Sequence, residues 1–318
     1  MRIAPCIAAG CAGAAGGGIR ALAGAVYFAH FVAVRILANP GRALQMETSY
    51  PAPVNQLLSL GMPTTWREGW LDYRGMGLSD EHVPSLIQMM EDPSLEWDAM
   101  DEDADETPYW APVHAWRALG QLRAEAAVEP LLGVLHRDED NDWAMSEIPD
   151  VLGMIGPAAL GPVRDALARA ARHPDPWEGG SLGTALEKIA QGHPEARDEA
   201  VSVLTHQLKG YGAQDPELNA FLVTSLVELH AVEAAPFIEA AFVAGAVDES
   251  VSGDWEDIQV ELGLLAERTT PKPRYRLGFD LPDLPRSVVR RDPPPVHPAA
   301  RASQLRKKQK QASRRRRK

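Results

Sequence analysis

The chain has 318 residues, of which 45% are hydrophobic, 24% charged and only 6% aromatic; this globular balance allows two average domains of roughly 150 residues or one elongated array. Leu, Ala, Val and Ile carry the apolar content, which favours helices packed through small residues over an aromatic-rich sheet, and no strands are expected. Two cysteines, Cys6 and Cys11, exclude a disulfide framework and a four-cysteine zinc site, and a net charge of −12 opposes nucleic-acid binding by the body of the chain.

Residues 1–45 hold four arginines and no acid. The stretch Ala21 to Val34 is apolar except for His30, but a membrane-crossing helix needs about 20 such residues. Met1-Arg2 ahead of an apolar run and Ala8-Ala9-Gly10-Cys11 have the outline of a secretion signal, yet a single basic residue and a glycine-broken core argue against it. Gly10, Gly13 and Gly16 follow the spacing G-x-x-G-x-x-G with no acid nearby to hold a ribose, so no dinucleotide turn is read there. The segment is expected to be an Ala/Gly-rich extension outside the fold, with Met46 as the functional start. A cytoplasmic protein with no membrane partner is expected.

Periodicity then takes over. Trp110, Val113, Ala118, Leu119 and Leu122 share one helical face, and Ala127, Val128, Leu131, Leu132 and Leu135 share a second. Leu119-Gly120 returns as Leu152-Gly153, and Pro130 returns as Pro162 near the start of the next second helix. Leu186, Leu226 and Leu262-Gly263 continue the series, while Ala196 to Leu204 and Ala234 to Ile238 continue the second helices. Five two-helix units result, each too small to close a core alone, so neighbours must bury their faces.

The run Ile155-Gly156-Pro157-Ala158-Ala159-Leu160-Gly161-Pro162-Val163 resembles the HEAT-like repeats named after phycobilisome lyases. The wider pattern, through His114-Ala115-Trp116-Arg117-Ala118-Leu119-Gly120-Gln121-Leu122 and Gly253-Asp254-Trp255-Glu256-Asp257, is similar to a group of uncharacterised bacterial HEAT-like proteins. The resemblance implies an all-α fold, a right-handed α-solenoid of stacked antiparallel helix pairs over residues 46–265, acting as a binding scaffold.

Beyond Leu265 prolines dominate, at Pro271, Pro273, Pro282, Pro285 and Pro293 to Pro295, so residues 266–300 are expected to be a linker. Residues 301–318 then carry ten basic residues and no acid, closing on Arg314, Arg315, Arg316, Arg317 and Lys318, and are expected to form a disordered tail. Setting aside the fourteen positive charges of the two ends leaves −26 on residues 46–300. Nucleic acid is therefore expected to associate only weakly, through the tail.

Catalytic signatures are sparse. Glu81-His82 is a lone reversed pair, too little for the di-iron site of the HEAT-like hydroxylases, and lyase chemistry would rest on fold analogy alone. No H-E-x-x-H or G-x-x-x-x-G-K-[ST] occurs, and the run Gly179-Gly180-Ser181-Leu182-Gly183 has the spelling G-x-S-x-G without a strand pattern before it. Asp101, Asp103 and Asp105, and again Asp138, Asp140 and Asp142, alternate like the opening of a calcium loop, but Glu106 and Trp143 stand where Gly is required and Pro112 and Pro149 where Glu is required. No catalytic residue, metal or cofactor is assigned.

What stands out is tryptophan beside acid: Trp97 after Glu96, Trp110 after an acidic run, Trp143 after Asp142, Trp177 before Glu178, and Trp255 between Asp254 and Glu256. Equivalent positions of a repeat stack along one edge, and aromatic faces with carboxylates suit Lys and Arg. Trp110, Asp142, Trp143, Trp177, Asp254 and Trp255 are therefore the candidate binding residues for a partner protein with a basic segment. Arg314 to Lys318 are candidates for contact with the same acidic body. The competing reading is that these tryptophans wedge between units while the acids favour helix N-termini.

Overall fold

The computed structural model describes residues 50–64, 69–100, 104–137 and 141–273. The expected N-terminal extension, most of the linker and the tail with Arg314 to Lys318 lie outside the described residues. So do Asp101, Asp103, Asp138 and Asp140. Among the described residues there are α-helices and 3-10 turns and no strand. The α-helices are α1 (Val83–Met90), α2 (Ala111–Leu122), α3 (Val128–Arg137), α4 (Asp142–Ile155), α5 (Leu160–Ala170), α6 (Trp177–Gly192), α7 (Arg197–Leu208), α8 (Pro216–Glu228), α9 (Ala235–Val243), α10 (Glu249–Ser252) and α11 (Trp255–Glu261).

Each of the helices α2 to α9 packs against the next in sequence or the next but one. Helices α2, α4, α6, α8 and α10 contact one another in that order, and α3, α5, α7 and α9 do likewise. The connection from the first row to the second repeats its chemistry: 3-10 turns Glu125–Ala127, Pro157–Ala159, Pro194–Ala196 and Val232–Ala234 lead directly into α3, α5, α7 and α9. Each turn ends on a buried alanine, Ala127, Ala159, Ala196 or Ala234. A larger side chain there would hold the two rows apart.

Leu119, Leu152, Leu186 and Leu226 are fully buried at corresponding places in α2, α4, α6 and α8, and glycines beside them set the spacing. A Cβ on Gly120 would lie 3.3 Å from the Val151 backbone, and one on Gly153 would lie 2.7 Å from Lys188 Cβ. Helices α2, α4 and α6 therefore meet at distances that any side chain at these two positions would obstruct. The contact of α4 with α6 also answers a covalent problem. Pro149, inside α4, has no N–H to give the carbonyl of Met145, and Ser181 Oγ of α6 donates to that carbonyl at 3.0 Å.

Five helix starts share one device. Asn141, Asp175, Asp215, Asp248 and Asp254 each accept a hydrogen bond from a backbone N–H of the first turn of α4, α6, α8, α10 or α11, at 2.8 to 3.0 Å. Asn219, fully buried in α8, donates to the carbonyls of Tyr211 and Ala246 at 3.1 and 2.7 Å and accepts from Gln214, so it ties two connecting segments to one helix. No described helix is long and apolar enough to cross a membrane.

Candidate functional site

At the start of α11 acid beside tryptophan has a local cause, since Asp254 caps the helix and Trp255 opens it, and ahead of α6 Asp175 accepts from the Trp177 amide at 2.9 Å. Trp110 is buried at the end of a 3-10 turn that runs into α2. Its ring meets Trp97 edge-on at 4.7 Å between centroids and Trp143 edge-on at 5.3 Å. Its indole N–H is buried and makes no hydrogen bond. Trp143, half-buried at the start of α4, continues the stack, and the exposed Asp142 precedes it.

The other two tryptophans each lean on the neighbouring helix. Trp177, half-buried, lies 5.4 Å from the ring of Phe221 in α8, and Trp255, half-buried, lies 5.9 Å from Phe242 in α9. The structure thus brings Trp110 and Trp143 into contact and pairs Trp177 and Trp255 with aromatics of adjoining helices. All four pack between elements, and three of them keep part of the ring accessible.

The carboxylates at these starts feel one another. Burial pushes the Glu217 carboxyl above its ordinary pKa, and the charges of Asp248, Asp215 and Asp175 push it the same way. These four residues belong to the starts of α6, α8 and α10, so the caps of successive helices in one row form a continuous acidic edge. Asp254 caps α11, and its carboxylate receives Arg268 in a two-bond fork at 2.6 and 2.7 Å. Those bonds lead the causes that hold Asp254 below the ordinary carboxylate range.

Two further constellations were not singled out from the sequence. Arg117, fully buried in α2, donates through Nε to Glu147 of α4 at 2.8 Å and through Nη2 to the same carboxylate. Trp116 Nε1 adds a third bond to Glu147 at 3.1 Å. The guanidinium sits over Trp70 at 4.9 Å and over Trp143 at 5.7 Å, so a face of Trp143 already meets a cation from within the chain. Beside it, His114 is buried between the Tyr73 hydroxyl at 2.7 Å and the Gly61 carbonyl at 2.8 Å. Because a carbonyl only accepts, His114 Nε2 carries the proton and Nδ1 accepts from Tyr73. Burial lowers the His114 pKa, the Arg117 charge adds to this, and the Gly61 carbonyl opposes it.

The second is the segment from Arg268, which falls within the expected linker and lies against α11. Its signal in the sequence is an Arg-Thr-Thr-Pro-Lys run that begins eleven residues after Asp257, the last of three acids in four positions. On the second row, α7 and α9 border an open groove of about 400 Å³ lined by Asp198, Thr205, Lys209, Glu233 and Phe237. Among the described residues no group of three or more His, Cys, Asp or Glu is arranged to hold a metal ion. No family model matches this chain, and no curated protein or solved structure is similar to it.

Proposed function

We propose that this protein is a non-catalytic HEAT-like scaffold whose helix pairs stack as a right-handed α-solenoid, and that it binds a basic segment of another protein along its acidic, tryptophan-bearing edge. The observation that carries this reading is the seating of Arg268 between Asp254 and Asp257: an acidic, tryptophan-bearing helix start already holds a basic segment, supplied by the chain itself. The recurring turns ending on buried alanine and the close-packed glycines support the repeat, and the half-buried rings of Trp143, Trp177 and Trp255 supply surfaces on which a long basic side chain can lie. Competition from residues 301–318 for the same edge belongs to this proposal.

The test is a fluorescence-anisotropy titration of the full chain with a labelled peptide of alternating Arg and Ala. Binding should weaken steeply as salt rises, because exposed charges are screened over about 8 Å at physiological ionic strength. Asp142→Lys should lower the affinity several-fold, and deletion of residues 301–318 should raise it. A peptide that binds equally well to Asp142→Lys, or no better than one of alternating Glu and Ala, contradicts the proposal.

A further inference from the structure

Helix α11 ends at Leu262-Gly263, where Gly263 takes φ +74 and the amides of Leu264 and Leu265 both bond back to the Gln259 carbonyl at 2.8 and 3.1 Å. This turn sends the chain back across the start of the same helix. There, three carboxylates receive the Arg268 guanidinium, the amides and hydroxyls of Thr269 and Thr270, and the Lys272 ammonium, while Arg268 Nε donates to the Thr270 carbonyl at 3.3 Å. Asp254 takes the Arg268 guanidinium in its fork, Asp257 Oδ1 takes Nη1 at 2.6 Å, and Glu256 lies 3.3 Å from Nη2. Glu256 also accepts from two successive residues: the Thr269 amide at 2.7 Å and hydroxyl at 2.5 Å, then the Thr270 amide at 3.1 Å and hydroxyl. Lys272 Nζ stands 3.4 Å from Asp257 Oδ2.

The character of these contacts distinguishes the segment from a packed piece of the fold. Thr269, Thr270, Pro271 and Lys272 are all exposed, and none of them enters the apolar core. The receiving side, by contrast, is built in: Asp257 is buried, and its Oδ2 accepts no hydrogen bond and faces only the Lys272 ammonium. A segment attached through a guanidinium fork, two consecutive N–H and O–H pairs and an ammonium, without apolar burial, is held as a peptide ligand is held. Each element reads chemistry. The fork fits Arg better than Lys, Glu256 requires hydroxyl donors at two adjacent positions, and Asp257 requires a cation two residues later.

We infer that Asp254, Glu256 and Asp257 form a binding site for an extended segment of pattern Arg–Thr/Ser–Thr/Ser–x–Lys, that residues 268–272 fill it in the free chain, and that a partner protein bearing the same pattern enters by displacing them. This rests on the acidic-edge reading and specifies its ligand. The resident segment is tethered through a few residues from α11, so its effective concentration is high and a competing segment meets a strong intramolecular rival. Phosphorylation of either hydroxyl in a competing segment would remove a donor and set a phosphate against three carboxylates, so the site selects the unmodified form.

The experiment uses the full chain and an acetylated, fluorescently labelled peptide Ala-Arg-Thr-Thr-Pro-Lys-Pro-Ala. Arg268→Ala with Lys272→Ala should empty the site, and this variant should bind the peptide at least ten-fold more tightly than the parent chain. Adding Glu256→Gln, or replacing the peptide's Arg by Lys or its first Thr by phosphothreonine, should each remove most of that gain. An emptied site that binds the peptide no better than a scrambled peptide of identical composition overturns the inference and leaves residues 268–272 as a structural closure only. Should the emptied variant melt early, the amide resonances of Thr269 and Thr270 in the parent chain give the answer: millimolar peptide should shift them toward released positions, and their invariance overturns the inference. Loss of this binding, with the Asp142-dependent binding of the Arg/Ala peptide intact, removes this inference and leaves the broader reading standing.

Discussion

Burying Arg117 beside an empty position would cost a large part of what a domain of this kind has to lose, since native stabilities are about 5 to 15 kcal/mol. Its charge is tolerable because Glu147 meets it with two bonds and Trp116 completes the carboxylate's shell. Glu147→Ala is therefore expected to destabilise by about 3 to 5 kcal/mol, the usual cost of leaving one partner of a buried pair alone. Arg117→Met with Glu147→Leu should recover most of that loss, as measured by urea unfolding. A double variant no better than the single one would show that the pair contributes more than mutual compensation. The run His114 to Leu122 was legible as part of one helix. The role of Arg117 within it was not, because its partner lies thirty residues away on another helix and nothing local marks Glu147 as buried. The tryptophans were legible as a recurring feature, but of the acids beside them Asp254 is a helix cap and Glu178 is buried against His136, so neither is simple surface charge. Exposure depends on the neighbouring helix, which no window of sequence contains.

At the level of helices, the spacing of Leu, Gly and Pro carried the reading. The second helices expected from Pro130, Pro162, Ala196 and Ala234 appear as α3, α5, α7 and α9 with starts within a few residues. Proline in the first turn, as at Pro130, Pro162 and Pro236, is a local signal, which is why these starts could be read. Trp110 was expected inside the first helix and instead closes a 3-10 turn before α2, with Pro112 in the helix's first turn. The register makes two predictions. Leu152→Ala should cost about 2 to 5 kcal/mol through lost burial and the cavity left behind, and a cost under about 0.5 kcal/mol would place Leu152 at the surface. Gly153→Ala should destabilise by about 1 to 3 kcal/mol because its Cβ meets Lys188 at 2.7 Å, whereas Gly133→Ala in α3, whose nearest neighbour is the Arg137 side chain at 3.8 Å, should stabilise by about 0.5 to 1 kcal/mol. Thermal melts of the two glycine variants should move in opposite directions; movement in the same direction contradicts the helix spacing.

Across the whole molecule the theme is negative charge in need of cations, with −26 on residues 46–300. The resident segment shows the consequence in its pH dependence. Bonds from Thr269 and Thr270 hold the Glu256 carboxyl down at about 2, from an ordinary value of 4.5. A carboxyl depressed in the folded state stabilises fully above its unfolded value, and that contribution is lost as the pH falls from about 4.5 through about 2. Residues 268–272 should therefore stay seated at pH 5 and release progressively below about 4.5, followed through the Thr269 and Thr270 amide resonances. Release between pH 7 and 5 would mean that Glu256 does not hold them.

The central claim, that a basic segment lies along the tryptophan-bearing edge, is tested most directly by the indole N–H resonances of the ¹⁵N-labelled full chain during titration with the Arg/Ala peptide. The signals of Trp143, Trp177 and Trp255 should move together and saturate at one peptide concentration, while that of Trp116, whose N–H is committed to Glu147 in the interior, should stay in place. Saturable binding that leaves those three signals unmoved, and instead shifts the amides of Lys209 and Phe237 in the groove between α7 and α9, would contradict the account.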